Sequence, residues 1–337
     1  MDKTIRFLQC NSCPSIQYRL EKEILKQREI PKDHQWQAQI LTDPAIIKFL
    51  DMQQENGWIA QDFHSSDGIE TAVRVFAEKG VSADHPAIHK MLSALEEKQD
   101  TFDQGSLQRV GKILDQKHLG GSQLIRATVF SYMGIENKPF IQNQIKKALE
   151  SFAFVLQVNQ IEDITEVYKN QLVFKQGVKW PSIYDLRLLA FTSSWRSPNN
   201  QNIMKRAIQR LIILSPIPSI LVLEKKQLIA PASSFMKDFK VNTFPKQNKD
   251  WMIWFHQLEL LTRLGLAKEI EELNEATQAL RVKLDENDGL FTKRLAHYYF
   301  TSWSPYTGLA LEKDWRSPKR RLSDLTFRSL LILTLSS

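Results

Sequence analysis

Histidine, acidic, arginine and aromatic side chains that could bind or transform a ligand occur before and within the first turns of several predicted helices. Carboxylates and imidazoles transfer protons, guanidinium groups bind phosphate or carboxylate, and aromatic rings stack on ligands. Because the starts of neighbouring helices can converge on one pocket, we expect these side chains to line a common ligand site. The candidate ligand-binding residues are Trp58, His64, Asp67, Glu70, His118, Trp180, Tyr184, Asp185, Arg187, Trp195, Trp303 and Tyr306.

Several of these candidates also have a structural explanation. Glu70 follows Asp67 by three residues, as in a capping box at a helix N-terminus. Arg187 could bind an anion or pair with a neighbouring helical hairpin, but it lies too close to Asp185 in sequence to share a helical face with it. The tryptophans could stack on a ligand or pack between helices. The sequence assigns no catalytic residue and leaves open whether the protein is an enzyme.

The sequence predicts neither a metal site nor a cofactor. His64, His118, His256 and His297 are far apart, and no pair has the i, i+4 spacing of helical metal ligands. The two cysteines, Cys10 and Cys13, form a lone C-x-x-C without a second pair or a nearby histidine pair. We therefore expect ordinary reduced thiols.

The composition is that of a globular protein. Hydrophobic residues make up 42% of the 337 residues and charged residues 25%, which gives enough apolar material for a large core. The net charge of +7 is spread evenly, so it permits nucleic-acid contact without indicating it. No apolar stretch approaches the ~20 residues that a membrane span needs. The charged start "MDKTIRFLQC" favours a cytoplasmic protein.

The elements that would position the candidates are helices of two alternating kinds. "DPAIIKFL" at 43–50 and "HPAIHKML" at 85–92 repeat a helix start in which proline is the first helical residue. "WRSP" at 195–198 and 315–318 is interpreted in the same way, with serine as the cap. These helices are apolar on one side only.

The second kind of helix is apolar around most of its circumference and carries one arginine. "SSDGIETAVRVFAEKG" from Ser65 is an example, with Gly80 as its predicted C-terminal cap. Related helices are predicted after Ser122, Pro181, Asp250 and Ser323. Their arginines are Arg74, Arg126, Arg187, Arg263 and Arg328.

This alternation predicts an all-α protein of stacked helical hairpins, with strand signals almost absent. We expect an α/α toroid of about five to six hairpins with an inner and an outer ring of helices, although the same pattern could form an open solenoid. The predicted organisation is one domain over 1–337. It has an N-terminal helical segment at 1–40 packed on the ring, and hairpin repeats over 41–337.

Several segments resemble a group of bacterial prenyltransferase-like and squalene-cyclase-type toroid proteins without an assigned function. They are "PSIQYRLEKEIL" near the N-terminus, "NGW" followed by "DGIETAVRVFAEKGVSADHPAI", "KWPSIYDLRLLAF", and "WRSPKRRLSDLTFRSLLIL" at the end. The resemblance implies a toroid with a central pocket. The Asp-x-Asp-Asp motif of class II terpene cyclases does not occur, and "DEND" at 285–288 is the nearest run.

Three functions follow as expectations. The first is a toroid whose central pocket takes an apolar or mixed small molecule, with a carbohydrate hydrolase or lyase as a variant. The second is a non-catalytic helical scaffold that binds another protein. The third, less expected, is a helical-repeat protein that binds nucleic acid, for which binding should depend strongly on salt.

Overall fold

The structure is a computed structural model that describes residues 2–27, 29–30, 33–60, 62–97, 107–233 and 235–337. Over these residues it contains 14 α-helices, 54% of the chain is helical, and the strands are few and short. The prediction of a mainly helical protein is confirmed. No helix in the described part of the chain is both long and apolar enough to span a membrane.

The chain divides into two compact units. Unit 1 comprises Met1–Ala60, His64–Glu96 and Asn242–Ser337, and unit 2 comprises Gln61–Phe63 and Glu97–Val241. The single domain expected over 1–337 stays a prediction.

Unit 1 brings the N-terminal helices together with the last three helices. α14 packs against α1, α2, α12 and α13, so the predicted N-terminal segment is helical and contacts the end of the chain. The helices are α1 (Asp2–Asn11), α2 (Pro14–Arg19), α3 (Asp33–Ile40), α4 (Pro44–Met52), α5 (Ile69–Lys79), α6 (Pro86–Glu97), α12 (Asp250–Arg263), α13 (Glu271–Asp285) and α14 (Pro318–Leu335). A π-helical turn, Leu20–Ile24, follows α2, and a 3-10 turn occupies Tyr298–Phe300.

The contact between α14 and the N-terminal helices is apolar. Leu8 of α1 and Ile16 of α2 are fully buried against Phe327 and Leu331 of α14. Burying one such side chain stabilises the fold by about 1.5–3 kcal/mol. This contact therefore anchors both ends of the described chain to one core.

A six-residue salt-bridge network lies in the interior of unit 1. Three arginines and three glutamates alternate, and each side chain pairs with two of the opposite charge, so the network closes on itself. In order they are Arg19, Glu23, Arg263, Glu259, Arg328 and Glu78, which pairs again with Arg19. These residues come from α2, the π-helical turn, α12, α14 and α5, so the network ties these elements together.

The arginines of the salt-bridge network offset the cost of burying its glutamates. Burial alone would raise the pKa of Glu78, but Arg328 and Arg19 lower it below its ordinary value. Burial likewise opposes ionisation of Glu23, whose pKa is lowered to about 2 by Arg19 and Arg263. Glu23 and Glu78 therefore have partners that favour their charged forms at neutral pH.

Unit 2 combines helices with two short β-hairpins. The helices are α7 (Gln108–Gln116), α8 (Ser122–Ser131), α9 (Pro139–Val155), α10 (Ile183–Ala190) and α11 (Pro198–Leu214). α10 packs against α8 and α9, and α9 packs against α11. The antiparallel hairpins are β1 (Thr165–Tyr168) with β2 (Gln171–Phe174), and β3 (Val222–Glu224) with β4 (Gln227–Ile229). The expectation that strands are almost absent missed both hairpins.

Most of the predicted helix boundaries are observed. The Asp43 carboxylate accepts a hydrogen bond from the Ala45 amide at 2.9 Å, and Pro44 is the first residue of α4. Ser197 caps α11 before Pro198, and Gly80 ends α5 with a left-handed φ of 83°. The tryptophan of each "WRSP" phrase is buried, so the phrase marks a helix start that is packed into the core.

The capping box predicted for α5 is wrong. The helix begins at Ile69, its N-cap is Gly68, and no side chain caps it. Asp67 instead forms an exposed ion pair with Lys48 at 2.5 Å. Glu70 therefore does not belong to a capping box.

Candidate functional site

Three of the predicted site residues come together around His64 in unit 1. The Nδ1 atom of His64 lies 2.5 Å from Oε2 of Glu70, and Nε2 lies 3.1 Å from the hydroxyl of Tyr306. The His64 and Tyr306 rings also meet edge to face, with centroids 5.4 Å apart. Both ring nitrogens therefore have a partner, one an acid and the other a phenol.

Helix α5 fixes the acidic end of this arrangement. Glu70 lies in its first turn and is only 1% exposed. His64 precedes the helix, and the hydroxyl of Thr71 donates to the carbonyl of Ser65 at 2.7 Å, which holds the intervening turn against α5. The Glu70 carboxylate is thus presented to His64 from a rigid element.

Arg74, one helical turn after Glu70, holds the loop that carries Tyr306. Its guanidinium donates to the carbonyls of Ser304, Thr307 and Gly308, with a distance of 2.8 Å to Ser304. It also lies 5.1 Å from the ring centre of Trp303. Since i and i+4 residues share a helical face, α5 holds both the acid and the loop that carries Tyr306.

The 302–308 loop is closed by its own hydrogen bonds. The Ser304 hydroxyl lies 2.8 Å from that of Thr307 and accepts from the Tyr306 and Thr307 amides. Gly308 has a φ of 97°, and a Cβ atom there would lie 2.6 Å from the Trp303 ring. The loop thus needs glycine at this position.

The partners of His64 define its tautomer and its chemistry. A carboxylate accepts hydrogen bonds, so Nδ1 carries the proton and donates a hydrogen bond to Glu70. The lone pair of Nε2 then accepts a hydrogen bond from the Tyr306 hydroxyl. Proton transfer from Tyr306 would produce an imidazolium next to Glu70, whose negative charge stabilises it. The arrangement can therefore take up or release a proton at the Tyr306 oxygen.

The other candidates in unit 1 have structural roles. Trp58 is buried, and its amide donates to the Asn56 side chain in the turn that contains Gly57. A Cβ atom at Gly57 would lie 2.1 Å from the Lys90 carbonyl oxygen, so this glycine allows the turn to approach α6. Asp67 is engaged at the surface by Lys48.

In unit 2, Asp185 is the acidic member of the capping box whose N-cap is Ser182. Its carboxylate accepts from the Ser182 amide at 2.7 Å and from the Ser182 hydroxyl at 2.6 Å, which forms a capping box at the start of α10. Burial raises its pKa to about 6, although the Ser182 hydrogen bonds oppose this shift.

The remaining aromatic candidates in unit 2, with Arg187, belong to its core. Arg187 is fully buried, and its guanidinium lies 5.4 Å from the Tyr184 ring and 5.9 Å from that of Phe235. Trp195 donates to the Leu189 carbonyl at 2.9 Å. Trp180 is buried beside Phe174. These contacts are those of packing residues.

His118 lines a separate cleft of about 510 Å³ in unit 2, together with Lys117, Glu166 and Lys179. Burial, and then the charge of Lys179, lowers its pKa. This histidine has a left-handed φ of 57°, and within the described part of the chain its Nδ1 atom has no hydrogen-bond partner.

The sequence reasoning missed Arg74 as a site residue. A signal was present, because Arg74 is the single arginine of an apolar helix and follows Glu70 by four residues. The contact between His64 and Tyr306 joins positions 242 residues apart, and no local pattern predicts it.

No group of three or more histidine, cysteine, aspartate or glutamate side chains in the described residues could hold a metal ion. Comparisons with protein-family models, with curated proteins and with solved structures found no match to this chain.

Proposed function

We propose that this protein is an α/α toroid that binds an apolar or mixed small molecule and exchanges a proton with it through Tyr306. The observation that carries this proposal is the placement of His64 between Glu70 and Tyr306. Tyr306 is the group that meets the ligand, and Glu70 and His64 set its proton affinity.

The toroid part of the proposal has two supports. The helices alternate as the repeat pattern requires, and α14 packs against both α1 and α2, as expected where the end of a ring meets its beginning. The resemblance to prenyltransferase-like toroid proteins favours the same architecture. In such a ring the site would lie at the start of an inner helix, which here is α5.

The proton transfer proceeds in two coupled steps. When the ligand loses a proton, the Tyr306 oxygen takes it as its own hydroxyl proton passes to Nε2 of His64, and the imidazolium that forms lies beside Glu70. In the reverse direction Nε2 returns this proton to the Tyr306 oxygen as the hydroxyl proton passes to the ligand, and His64 becomes neutral. Glu70 accepts the hydrogen bond from Nδ1 in both directions.

A ligand panel tests this proposal. The panel contains isoprenoid diphosphates, isoprenoid alcohols and neutral oligosaccharides, and the readout is the shift in thermal unfolding temperature. We expect one class to raise the unfolding temperature by several degrees, and Tyr306→Phe to reduce that shift. Phenylalanine keeps the ring contact with His64 and removes only the hydroxyl.

The matched control is Tyr168→Phe, at the end of β1 in unit 2, which should leave the shift unchanged. The absence of any shift across the whole panel would contradict the proposed function. An equal shift in the wild type and in Tyr306→Phe would remove Tyr306 from the site.

A further inference from the structure

A cleft of about 650 Å³ in unit 1 shares no lining residue with the His64 site. Three segments form it: the junction of α1 and α2 (residues 10–15), the junction of α3 and α4 (residues 39–44), and the residues around the start of α14 (312–320). Each segment joins or precedes a helix, so the walls of the cleft are held by the core of unit 1.

Glu312 is the buried acid of this cleft. It is 6% exposed, and its Oε1 atom accepts a hydrogen bond from the Cys13 amide at 2.8 Å. Its Oε2 atom has no hydrogen-bond partner in the part of the chain that the structure describes. Among the described residues, Oε2 forms only a long ion pair, with the Arg320 Nε atom at 4.0 Å. One carboxylate oxygen is therefore available to a ligand that donates hydrogen bonds.

The neighbouring acids are already satisfied. Asp324 accepts from the Leu311 amide at 2.7 Å and from the Trp315 indole at 2.6 Å. Asp43 pairs with the Lys79 ammonium group at 2.8 Å. Burial, and then the charge of Asp324, raises the pKa of Glu312 to about 7. A cation placed beside Glu312 would offset this cost of ionisation.

The mouth of the cleft has the opposite charge. Lys313 and Lys319 are exposed, and neither forms an ion pair with any described residue. Arg320 is engaged by Asp314. Two free ammonium groups thus stand at the rim above a buried carboxylate.

The thiol of Cys13 does not supply the chemistry of this cleft. It donates to the Leu311 carbonyl at 3.4 Å, and burial, followed by the charges of Glu312 and Asp324, raises its pKa well above its ordinary value. It stays a protonated thiol, which is a poor nucleophile. The polar groups that remain for a ligand are Glu312 and the rim lysines.

We infer that this cleft binds a small zwitterion, whose primary ammonium group donates to Oε2 of Glu312 and whose oxyanion meets Lys313 and Lys319. A charge-assisted hydrogen bond to a buried carboxylate provides the orientation, and the rim provides attraction for the oxyanion. The inference does not depend on the proposed function of the His64 site.

Isothermal titration calorimetry at pH 8 and low salt tests the inference. The probes are O-phosphoethanolamine and β-alanine, which carry both charges, and ethanolamine and inorganic phosphate, which each carry one. We expect at least one zwitterion to bind at least tenfold more tightly than either single-charge probe. The two zwitterions distinguish a phosphate from a carboxylate as the oxyanion.

Glu312→Gln should weaken binding of the zwitterion at least tenfold, because the amide has no charge to offer the ammonium group. The variant should still fold, since its carbonyl oxygen can accept from the Cys13 amide. Lys319→Gln should weaken binding severalfold. The controls are Glu271→Gln in α13 and Lys90→Gln in α6, both exposed, which should bind as the wild type does.

Three results would overturn the inference. They are the absence of binding by every probe, phosphate binding as tightly as O-phosphoethanolamine, and Glu312→Gln binding as the wild type does.

Discussion

His64 illustrates how one side chain can be defined by two partners from distant parts of the sequence. Glu70 lies six residues away, and Tyr306 lies 242 residues away. The sequence placed all three among the candidate site residues because of their types and their positions near helix starts. It could not show that they touch, because that contact depends on how the 302–308 loop packs against α5.

Glu70→Gln should lower the free energy of unfolding by about 1 kcal/mol, because the hydrogen bond from His64 to a buried carboxylate becomes a weaker bond to a neutral amide oxygen. Urea denaturation at pH 7 measures this change. Glu55→Gln, at an exposed position, serves as the control and should change stability by less than about 0.5 kcal/mol. A Glu70→Gln variant as stable as this control would show that the carboxylate is not engaged as described.

Glu312 should make stability depend on pH. Its pKa is raised from 4.5 to about 7 in the folded protein, so between these values the folded state binds more protons than the unfolded state. The stability that protonation of Glu312 contributes to the folded state is fully present below about pH 4.5, and it is lost as the pH rises through 7. Glu312→Gln does not lose this stability, so well above pH 7 it should be more stable than the wild type by roughly 3 kcal/mol.

Urea denaturation of the wild type and Glu312→Gln at pH 5, 7 and 8.5 measures this difference. The advantage of the variant should grow with pH. A constant difference across the series would contradict the raised pKa of Glu312.

At the scale of the elements, the salt-bridge network joins α2, the π-helical turn, α5, α12 and α14, and Arg328, Glu78 and Glu259 are among its buried members. Arg328→Met should lower the free energy of unfolding by about 3–5 kcal/mol, because Glu78 and Glu259 each lose a buried partner. Lys48→Met, in the exposed pair with Asp67, should cost no more than about 1 kcal/mol. Equal effects of the two variants in chemical denaturation would contradict the stabilising role of the buried network.

The 302–308 loop should not tolerate a side chain at Gly308. Gly308→Ala combines a left-handed φ of 97° with a Cβ atom 2.6 Å from the Trp303 ring, so the loop must shift. We expect a loss of about 1–3 kcal/mol and a changed Tyr306 environment in NMR spectra. Gly177→Ala, at a similar φ but with no atom within 4 Å of the new Cβ, separates the backbone strain from the clash.

Helix starts could be predicted from the sequence because the signals are local. Pro44, Pro198 and Pro318 are each the first helical residue, as expected. The two β-hairpins were not predicted from the sequence, because their strands have only three or four residues. Their turns also place lysine at positive φ, as at Lys169, where glycine, asparagine or aspartate is the usual signal.

At the scale of the whole molecule, the mainly helical class followed from the alternation of the two helix types and from the scarcity of strand signals. The division into two compact units could not be predicted, because it depends on which helices contact one another across long stretches of sequence. The unit 1 core shows this, since it joins α1 and α2 with α14 from the other end of the chain. Closure of the helices into a toroid stays a prediction.

The central claim is that Glu70 and Tyr306 hold neutral His64 in a single tautomer suited to proton exchange. Nitrogen-15 NMR of the histidine side chains, assigned with His64→Gln, tests it most directly. For neutral His64 the account predicts a proton on Nδ1 and an unprotonated, hydrogen-bonded Nε2. A proton found on Nε2, or two tautomers in exchange as in free imidazole, would contradict it.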